Sequence, residues 1–197
     1  MFHMRPLLPA LACALLVTGC ATTAGGGASG SRTADPGQLT QWTAKGRIAL
    51  SAQGEGGSGS FVWQQRSERT ELTVRGPLGA GGLALVTDGE TLELADGSGQ
   101  PLDGEAARAE LERRLGVQLP LAELRYWMLG VPAPGRSDGG PVQASTGSVP
   151  GFVQGGWVVS YEELKPQAGW NLPARLTATT SGARVRIVVD DWVLPTP

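Results

Sequence analysis

Alternation of apolar and polar residues with a period of two dominates residues 47–94 and limits what this chain can fold into. Five such runs occur, separated by glycine-containing turns: Arg47–Ser51, Gly59–Gln64, Glu71–Arg75, Gly82–Thr87 and Thr91–Leu94. Because successive side chains of a strand point to opposite faces of a sheet, each run predicts a strand with one apolar face. Asp88-Gly89 indicates a tight hairpin between the last two. The sequence therefore predicts a five-stranded antiparallel meander.

The apolar period changes to about four residues in the middle of the chain, which predicts two helices. The first is predicted over residues 104–115, because Asp103 can cap its start and Gly116 can end it. The second is predicted to begin near Pro120 and to end at Gly130. Its apolar stripe consists of Leu121, Leu124, Trp127 and Met128.

Strand patterns return near the C-terminus, after a connection over residues 131–150 that is rich in Pro, Gly and Ser and is predicted to be irregular. The later runs cover residues 152–153, 156–161, 175–178 and 184–189. Strands and helices do not alternate, which argues against a parallel nucleotide-binding sheet. An antiparallel sheet with helices packed on one face is therefore predicted.

The N-terminus has the features of a lipoprotein signal peptide. Arg5 gives a weakly basic start, and Leu7–Val17 is an apolar stretch shorter than the ~20 residues that span a membrane. Val17-Thr18-Gly19-Cys20 then matches a lipobox, in which cleavage before Cys20 leaves a lipidated N-terminal cysteine. The alternative is an ordinary signal peptide followed by an incidental cysteine. Met1 and Met4 are both candidate starts.

The lipobox divides the chain into three parts. Residues 1–19 are predicted to be removed, residues 20–41 to form the lipidated cysteine and a flexible tether, and residues 42–197 to form a single domain. Several acyl chains on Cys20 would make the anchor effectively permanent. Ala21, where aspartate would signal retention in the inner membrane, favours an outer-membrane location with the domain facing the periplasm.

The predicted mature chain lacks the residue types that most catalytic and metal sites require. The only histidine, His3, and one of the two cysteines, Cys13, leave with the leader. Nucleophile systems with a histidine base and zinc sites of cysteine and histidine are therefore excluded. We expect a protein that is not an enzyme, binds no metal and carries no cofactor except the covalent lipid on Cys20.

Charge argues against a nucleic-acid partner. The whole chain has 16 basic and 18 acidic residues, and loss of Arg5 with the leader leaves a net charge of −3. No basic run is present.

A leucine stands at the predicted tip of the loop between the third and fourth strands. Pro77 and Gly79 suit the second and fourth positions of a turn, which places Leu78 between them. Leu78 either enters lipid or an apolar pocket of a partner, or folds back onto the domain or stays exposed without a role. From the residues alone the second interpretation is favoured, since single exposed apolar residues are common.

Six tryptophans are the other conspicuous feature: Trp42, Trp63, Trp127, Trp157, Trp170 and Trp192. Each one by itself is best explained by core packing. Together with five apolar strand faces, however, they form more apolar surface than two short helices cover. An incompletely filled half-barrel would bind an apolar ligand.

Several short segments resemble, in order, those of the outer-membrane lipoprotein receptor family LolB, whose members take lipoproteins from the periplasmic carrier LolA. They are Lys45–Ala49, Gly59–Gln65, Gly76–Gly79, Leu119–Leu121 with Leu124–Pro132, Gly156–Tyr161, Leu172–Leu176 and Asp191-Trp192. The resemblance covers residues ~42 to 193. The 131–150 connection departs from it, being longer and richer in Pro and Gly than the family leads us to expect.

The resemblance implies an open, strongly curved antiparallel sheet, an incomplete β-barrel, that is covered by a few helices and encloses an apolar cavity for acyl chains. It also implies that the loop of Pro77, Leu78 and Gly79 helps to insert cargo into the membrane, which reverses the interpretation of Leu78 from the residues alone. We expect the following side chains to line the cavity: Ile48, Leu50, Phe61, Trp63, Leu72, Val74, Leu85, Leu124, Trp127, Met128, Trp157 and Tyr161.

The function implied is that of a monomeric receptor that accepts lipoproteins from a LolA-like carrier, holds their acyl chains and releases them into outer-membrane lipid. Two alternatives stay open at this point. One is a general lipid- or apolar-ligand-binding envelope lipoprotein, and the other is a structural envelope lipoprotein with a filled core.

Overall fold

The computed structural model describes residues 35–77, 82–96, 101–135, 141–142 and 149–195. The predicted leader (residues 1–19), Cys20 with the tether up to residue 34, and Leu78 and Gly79 of the predicted insertion loop lie outside the described residues.

Eleven strands and two helices follow one another in the described part of the chain, after a short 3₁₀ turn at Pro36–Gln38. The N-terminal strands are β1 (Gln41–Ala52), β2 (Glu55–Arg66), β3 (Arg69–Arg75), β4 (Gly82–Thr87), β5 (Leu92–Asp96) and β6 (Leu102–Asp103). The helices α1 (Gly104–Leu115) and α2 (Leu121–Met128) come next. The C-terminal strands are β7 (Pro141–Val142), β8 (Val149–Gln154), β9 (Trp157–Gln167), β10 (Trp170–Thr180) and β11 (Ala183–Val193).

All eleven strands belong to one antiparallel sheet in the order β6-β5-β4-β3-β2-β1-β11-β10-β9-β8-β7. The sheet consists of two meanders that are joined where β1 pairs with β11. Its edges are β6 and β7, which are two residues long each and do not pair with each other, so the sheet stays open. This confirms the predicted fold class.

One face of the sheet packs against the helices. Helix α1 contacts β1, β5 and β6, and α2 contacts β10. The buried apolar side chains of the sheet and of both helices form one core cluster. Neither helix of the described residues is long and apolar enough to cross a membrane.

The structure confirms the five-stranded meander and both helices. The hairpin at Asp88 is confirmed too, but its connection has four residues, in which the Asp88 carboxylate accepts hydrogen bonds from the backbone N–H groups of Glu90 and Thr91. These bonds lower the pKa of Asp88. Gly116 ends α1 in the left-handed conformation, with φ of 67°.

Two local predictions are wrong. Asp103 occupies the N-cap position of α1 and also pairs with Glu93 in β6, but its side chain makes no capping hydrogen bond. The 131–150 connection is not irregular throughout, since β7 pairs with β8 through Pro141 and Phe152. That pairing joins distant residues without local alternation, so the sequence carries no signal for it.

Glycines allow neighbouring strands to approach each other closely where the sheet is irregular. The ladder between β1 and β11 shifts register at Lys45 and Gly46, and a Cβ atom at Gly46 would overlap the carbonyl oxygen of Val188. The same overlap, with the carbonyl of Val159, excludes a side chain at Gly151. Bulges of this kind bend strands and increase their twist, which curves the sheet around its helices.

Gly46→Ala should therefore lower the free energy of unfolding by roughly 1–3 kcal/mol, because the added methyl group forces backbone atoms apart. Denaturant unfolding of the variant and the parent protein measures the difference. Gly57→Ala is the matched control, since no atom lies within 4 Å of a Cβ built there. Equal losses in the two variants would contradict this account of the bend.

Candidate functional site

The inward face of the β1–β2 hairpin is divided into a filled half and an empty half. Cross-strand partners share a face, and the inward pairs of the filled half are Trp42 with Gln65, Ala44 with Trp63, and Gly46 with Phe61. In the other half Ile48 pairs with Gly59, and Leu50 pairs with Gly57. At Gly59 the place where a Cβ atom would be is taken by the carbonyl of Arg75. At Gly57 nothing lies within 4 Å of that place, so the space beside Leu50 stays open.

This space is a cavity of about 770 Å³ between the sheet and the end of α1. Its sheet wall consists of apolar side chains from β1, β3, β4 and β11: Ile48, Leu50, Leu72, Val74, Leu83, Leu85 and Val185. Opposite them lie Leu111 and Leu115 from α1, Leu119 from the segment between the helices and Leu121 at the start of α2. Aliphatic side chains on both walls make the cavity suitable for a hydrocarbon chain.

Exposed residues from two elements form the mouth of the cavity. One side is the tip of the β1–β2 hairpin, residues 53–58, and the other is the end of α1 with Arg113, Arg114 and Gly116. The side-chain amide of Gln53 donates a hydrogen bond of 3.1 Å to the carbonyl of Gly116, which holds the two sides together. The backbone N–H of Gln53 also donates to the carbonyl of Gly182.

Charge at the mouth is locally balanced. Arg113 and Arg114 donate to the Glu110 carboxylate at 2.7 and 2.6 Å, and these bonds lower the pKa of Glu110 to about 2. The carboxylate therefore stays ionised near neutral pH. The mouth presents no strong field of one sign, which suits a ligand whose binding end is hydrocarbon.

The structure brings five of the twelve predicted cavity residues together in the wall: Ile48, Leu50, Leu72, Val74 and Leu85. The other seven are buried in the core and do not line this cavity: Phe61, Trp63, Leu124, Trp127, Met128, Trp157 and Tyr161. Whether acyl chains reach those seven in a loaded protein stays a prediction.

Sequence reasoning missed the helical wall and the role of Gly57. The fourfold spacing of Leu111 and Leu115 identified an inward stripe on α1, but the pattern does not say whether that stripe meets side chains or empty space. No role was assigned to Gly57 from the sequence. Only its register opposite Leu50 shows that it leaves the inward face open at that point.

Most of the tryptophans fill the other half of the domain. Trp42 lies with its ring centre 5.7 Å from that of Trp63 and 5.3 Å from that of Trp192. Trp127 packs 6.2 Å from Trp157 and 6.5 Å from Phe152. Aromatic pairs at these distances and tilted angles are stabilising. The aromatic half is thus a rigid frame beside the cavity.

Buried polar groups fix this frame. The Gln154 side chain, which is fully buried, accepts hydrogen bonds from the Trp127 indole N–H at 2.8 Å and from the Ala133 backbone N–H at 2.9 Å. The Tyr161 hydroxyl donates to the Trp127 carbonyl at 3.0 Å. Burial raises the pKa of Tyr161 well above its usual value of 10.

The described residues on either side of Leu78 lie at the cavity. Gly76 and Gly82 both belong to the cavity lining, and Pro77 is exposed. Leu78 and Gly79 lie outside the described residues, so their predicted role stays a prediction.

The sequence comparisons with known proteins match this chain to one family. The family model described as outer membrane lipoprotein LolB matches residues 40–192. The chain is 32% identical over 157 residues to the outer-membrane lipoprotein LolB of Nitrosococcus oceani, covering 80% of this chain and 78% of that protein. It is 35% identical over 159 residues to the LolB of Alkalilimnicola ehrlichii, covering 79% and 78%.

Solved structures resemble the fold at low sequence identity. A DUF1329 family protein from Desulfovibrio piger superposes with a TM-score of 0.50 and 7% identity, covering 84% of this chain and 90% of that one. A LolA superfamily protein from Nitrosomonas europaea has a TM-score of 0.47 and 13% identity, covering 81% and 88%.

Stability should decrease above about pH 10 because Tyr161 stays neutral in the folded protein but ionises when unfolded. Below pH 10 Tyr161 is neutral in both states and its contribution to stability is fully present. As pH rises further, the free energy of unfolding falls by up to ~1.4 kcal/mol per pH unit. Tyr161→Phe should remove that slope, at a cost of about 1 kcal/mol at neutral pH for the lost hydrogen bond.

Denaturant unfolding at pH 7–11.5 measures this effect. Tyr126→Phe, which alters the only other tyrosine of the chain, serves as the control and should retain the slope. Parallel curves for the parent protein and Tyr161→Phe above pH 10 would contradict the assignment.

Proposed function

Because the chain belongs to the LolB family of outer-membrane lipoproteins, we propose that it accepts lipoproteins from a periplasmic LolA-like carrier, holds their acyl chains in its cavity and releases them into the outer membrane. The observation that supports this most directly is the open aliphatic cavity beside Gly57 on the inward face of β2. The predicted lipid on Cys20 keeps the receptor at the membrane that receives the cargo.

The size and lining of the cavity favour reversible binding of hydrocarbon. About 770 Å³ lies within the range of small-molecule sites, roughly 300–1,000 Å³. Each buried methylene contributes about 0.8 kcal/mol, so ten of them give roughly 8 kcal/mol, which corresponds to a dissociation constant in the micromolar range before ordering costs. An acceptor of that strength holds its cargo and still releases it.

Transfer needs no chemical energy on this proposal. It requires only that the cavity bind the acyl chains more favourably than the carrier does, and that lipid bilayer bind them more favourably still. Neither step needs a catalytic group, which agrees with the absence of histidine and free thiol from the predicted mature sequence. We propose that the protein acts as a monomer, one cavity per chain.

Release into the membrane is assigned to the loop of Pro77, Leu78 and Gly79. Its flanking glycines line the cavity, so cargo leaving the mouth is close to whatever the loop contacts. Burying one leucine in lipid contributes about 1.5–3 kcal/mol, which is enough for transient contact and too little for permanent insertion. Lasting attachment comes from Cys20 instead.

A general lipid-binding role is the second candidate. It is favoured by the absence of a buried charged group among the residues that line the cavity, since an aliphatic wall binds any hydrocarbon chain of suitable length. Competition decides between the two: free fatty acid or phospholipid in excess should not displace carrier-delivered lipoprotein if the protein is a dedicated receptor.

Gly57→Phe should weaken acyl-chain binding by at least tenfold, because the new ring enters the cavity from a position where nothing obstructs its Cβ atom. Transfer of a fluorescent lipoprotein from loaded carrier to the variant measures the loss. Val62→Phe is the matched control, since Val62 is exposed on the same strand and does not line the cavity. Normal acceptance by a folded Gly57→Phe variant would refute the assignment of the cavity.

Leu78→Glu should leave acceptance from the carrier intact and reduce delivery to lipid vesicles severalfold, because a charged side chain cannot enter hydrocarbon. Full-length protein on outer-membrane-like vesicles, with acceptance and delivery measured separately, distinguishes the two steps. Leu102→Glu at the exposed edge strand β6 controls for loss of an apolar surface residue. Undiminished delivery by Leu78→Glu would remove the loop from the proposal.

A further inference from the structure

Half of strand β2 has an unpaired edge beside the mouth of the cavity. The ladder between β2 and β3 ends at Ser60 and Arg75, whereas β2 begins five residues earlier at Glu55 and up to that point pairs with β1 alone. Within the described residues no strand pairs with the other side of residues 55–58, whereas Gly59 lies against the backbone of Arg75 and Gly76. Residues 55–58 are exposed to solvent.

The hairpin register shows which groups face outward. Gln53 and Gly54 both have positive φ, 53° and 86°, as in a two-residue type I′ turn. In such a hairpin the cross-strand pairs Ala52–Glu55 and Leu50–Gly57 are joined by main-chain hydrogen bonds. Because alternate residues of an antiparallel strand face opposite sides, the N–H and C=O groups of Gly56 and Ser58 then point away from β1. The next outward residue, Ser60, is the one paired with Arg75, as this alternation requires.

This edge is accessible and held in place. Edge strands usually carry lysine, proline or a bulge that prevents further pairing, whereas residues 56–59 are Gly-Gly-Ser-Gly. Gly56 and Ser58, whose main-chain groups face away from β1, are both exposed to solvent. Hydrogen bonds from Gln53 to the carbonyls of Gly116 and Gly182 fix the hairpin tip on both sides.

The average reach of the tether is shorter than the distance along β1 to this edge. The described chain enters β1 at Gln41, which pairs with Arg66 at the far end of the hairpin. The 12 residues of β1 extend roughly 40 Å at about 3.3 Å per residue. The ~15 residues from Cys20 to residue 34 have an r.m.s. reach of only about 20–23 Å.

The peptide of a bound lipoprotein is well placed to occupy the outward edge of β2. Acyl chains held in the cavity put the lipidated cysteine of a lipoprotein at the mouth, and the peptide that follows must leave along the exposed hairpin. We infer that the outward edge of β2 at Gly56 and Ser58 binds the segment directly after the lipidated cysteine of an incoming lipoprotein as an added β-strand. Main-chain hydrogen bonds give affinity independent of side chains, which suits a receptor of different lipoproteins. This inference rests on the proposed acyl-chain cavity.

Synthetic ligands test the inference on the full mature chain with Cys20→Ala, so that no anchor competes for the cavity. The first probe is diacylglyceryl-cysteine amide, which has no peptide. The second is the diacylglyceryl pentapeptide Cys-Ala-Thr-Thr-Ala, the sequence that follows the lipobox here. Two analogues of the pentapeptide carry N-methyl groups on alternate amides, one at the second and fourth residues and one at the third and fifth.

We expect the pentapeptide to bind roughly tenfold more tightly than the cysteine amide, since each main-chain hydrogen bond contributes a factor of about 2–10. Only one N-methylated analogue should lose this gain, because alternate amides of a strand face opposite sides. Hydrogen exchange at the Gly56 and Ser58 amides should slow with the pentapeptide and not with the cysteine amide. Ser58→Pro, which removes an outward N–H, should reduce the affinity ratio of the two ligands to about one.

Other outcomes separate the inference from the proposed function. Equal affinity of the cysteine amide and the pentapeptide would overturn the inference and leave the acyl-chain cavity standing. Binding of neither ligand would overturn both. If Ser58→Pro slows transfer from loaded carrier while the affinity ratio is unchanged, the edge binds the carrier and the inference is wrong.

Discussion

The register between β1 and β2 is the constraint on which the rest of this structure depends. It places tryptophan and phenylalanine on the inward face at one end of the hairpin, and glycine opposite isoleucine and leucine at the other. The same two strands therefore belong to a tightly packed core and to an open cavity. A shift by one residue would turn the inward side chains outward, so core and cavity would be lost together.

The tightly packed aromatic half of the domain stabilises the half that contains the open cavity. An unfilled apolar cavity forfeits packing energy, and the aromatic half offsets this through Trp42, Trp63 and Trp127 together with the fully satisfied Gln154 side chain. The open sheet contributes as well, since its two edges are short and one helix lies over each meander. The cavity therefore has a rigid aromatic core on one side and an opening to solvent on the other.

The mouth brings together the groups that the proposed handover of cargo uses. The glycine-rich hairpin, the balanced arginines at the end of α1 and the base of the loop that carries Leu78 all border the same opening. Acyl chains, the peptide attached to them and the receiving membrane then meet within a short distance. On the proposed function, the predicted anchor at Cys20 keeps this opening near the membrane.

Local patterns in the sequence predicted the meander strands and the two helices, because periodicity and composition are properties of short segments. They also suggested an incompletely filled half-barrel, and the family resemblance added the curvature of the sheet and acyl chains as the ligand of its cavity. Which inward residues line that cavity was decided by the tertiary structure alone. Leu50 and Trp63 have the same inward position in a strand, and only the cross-strand partner, Gly57 or Ala44, together with the placement of α1, leaves space beside one and fills it beside the other.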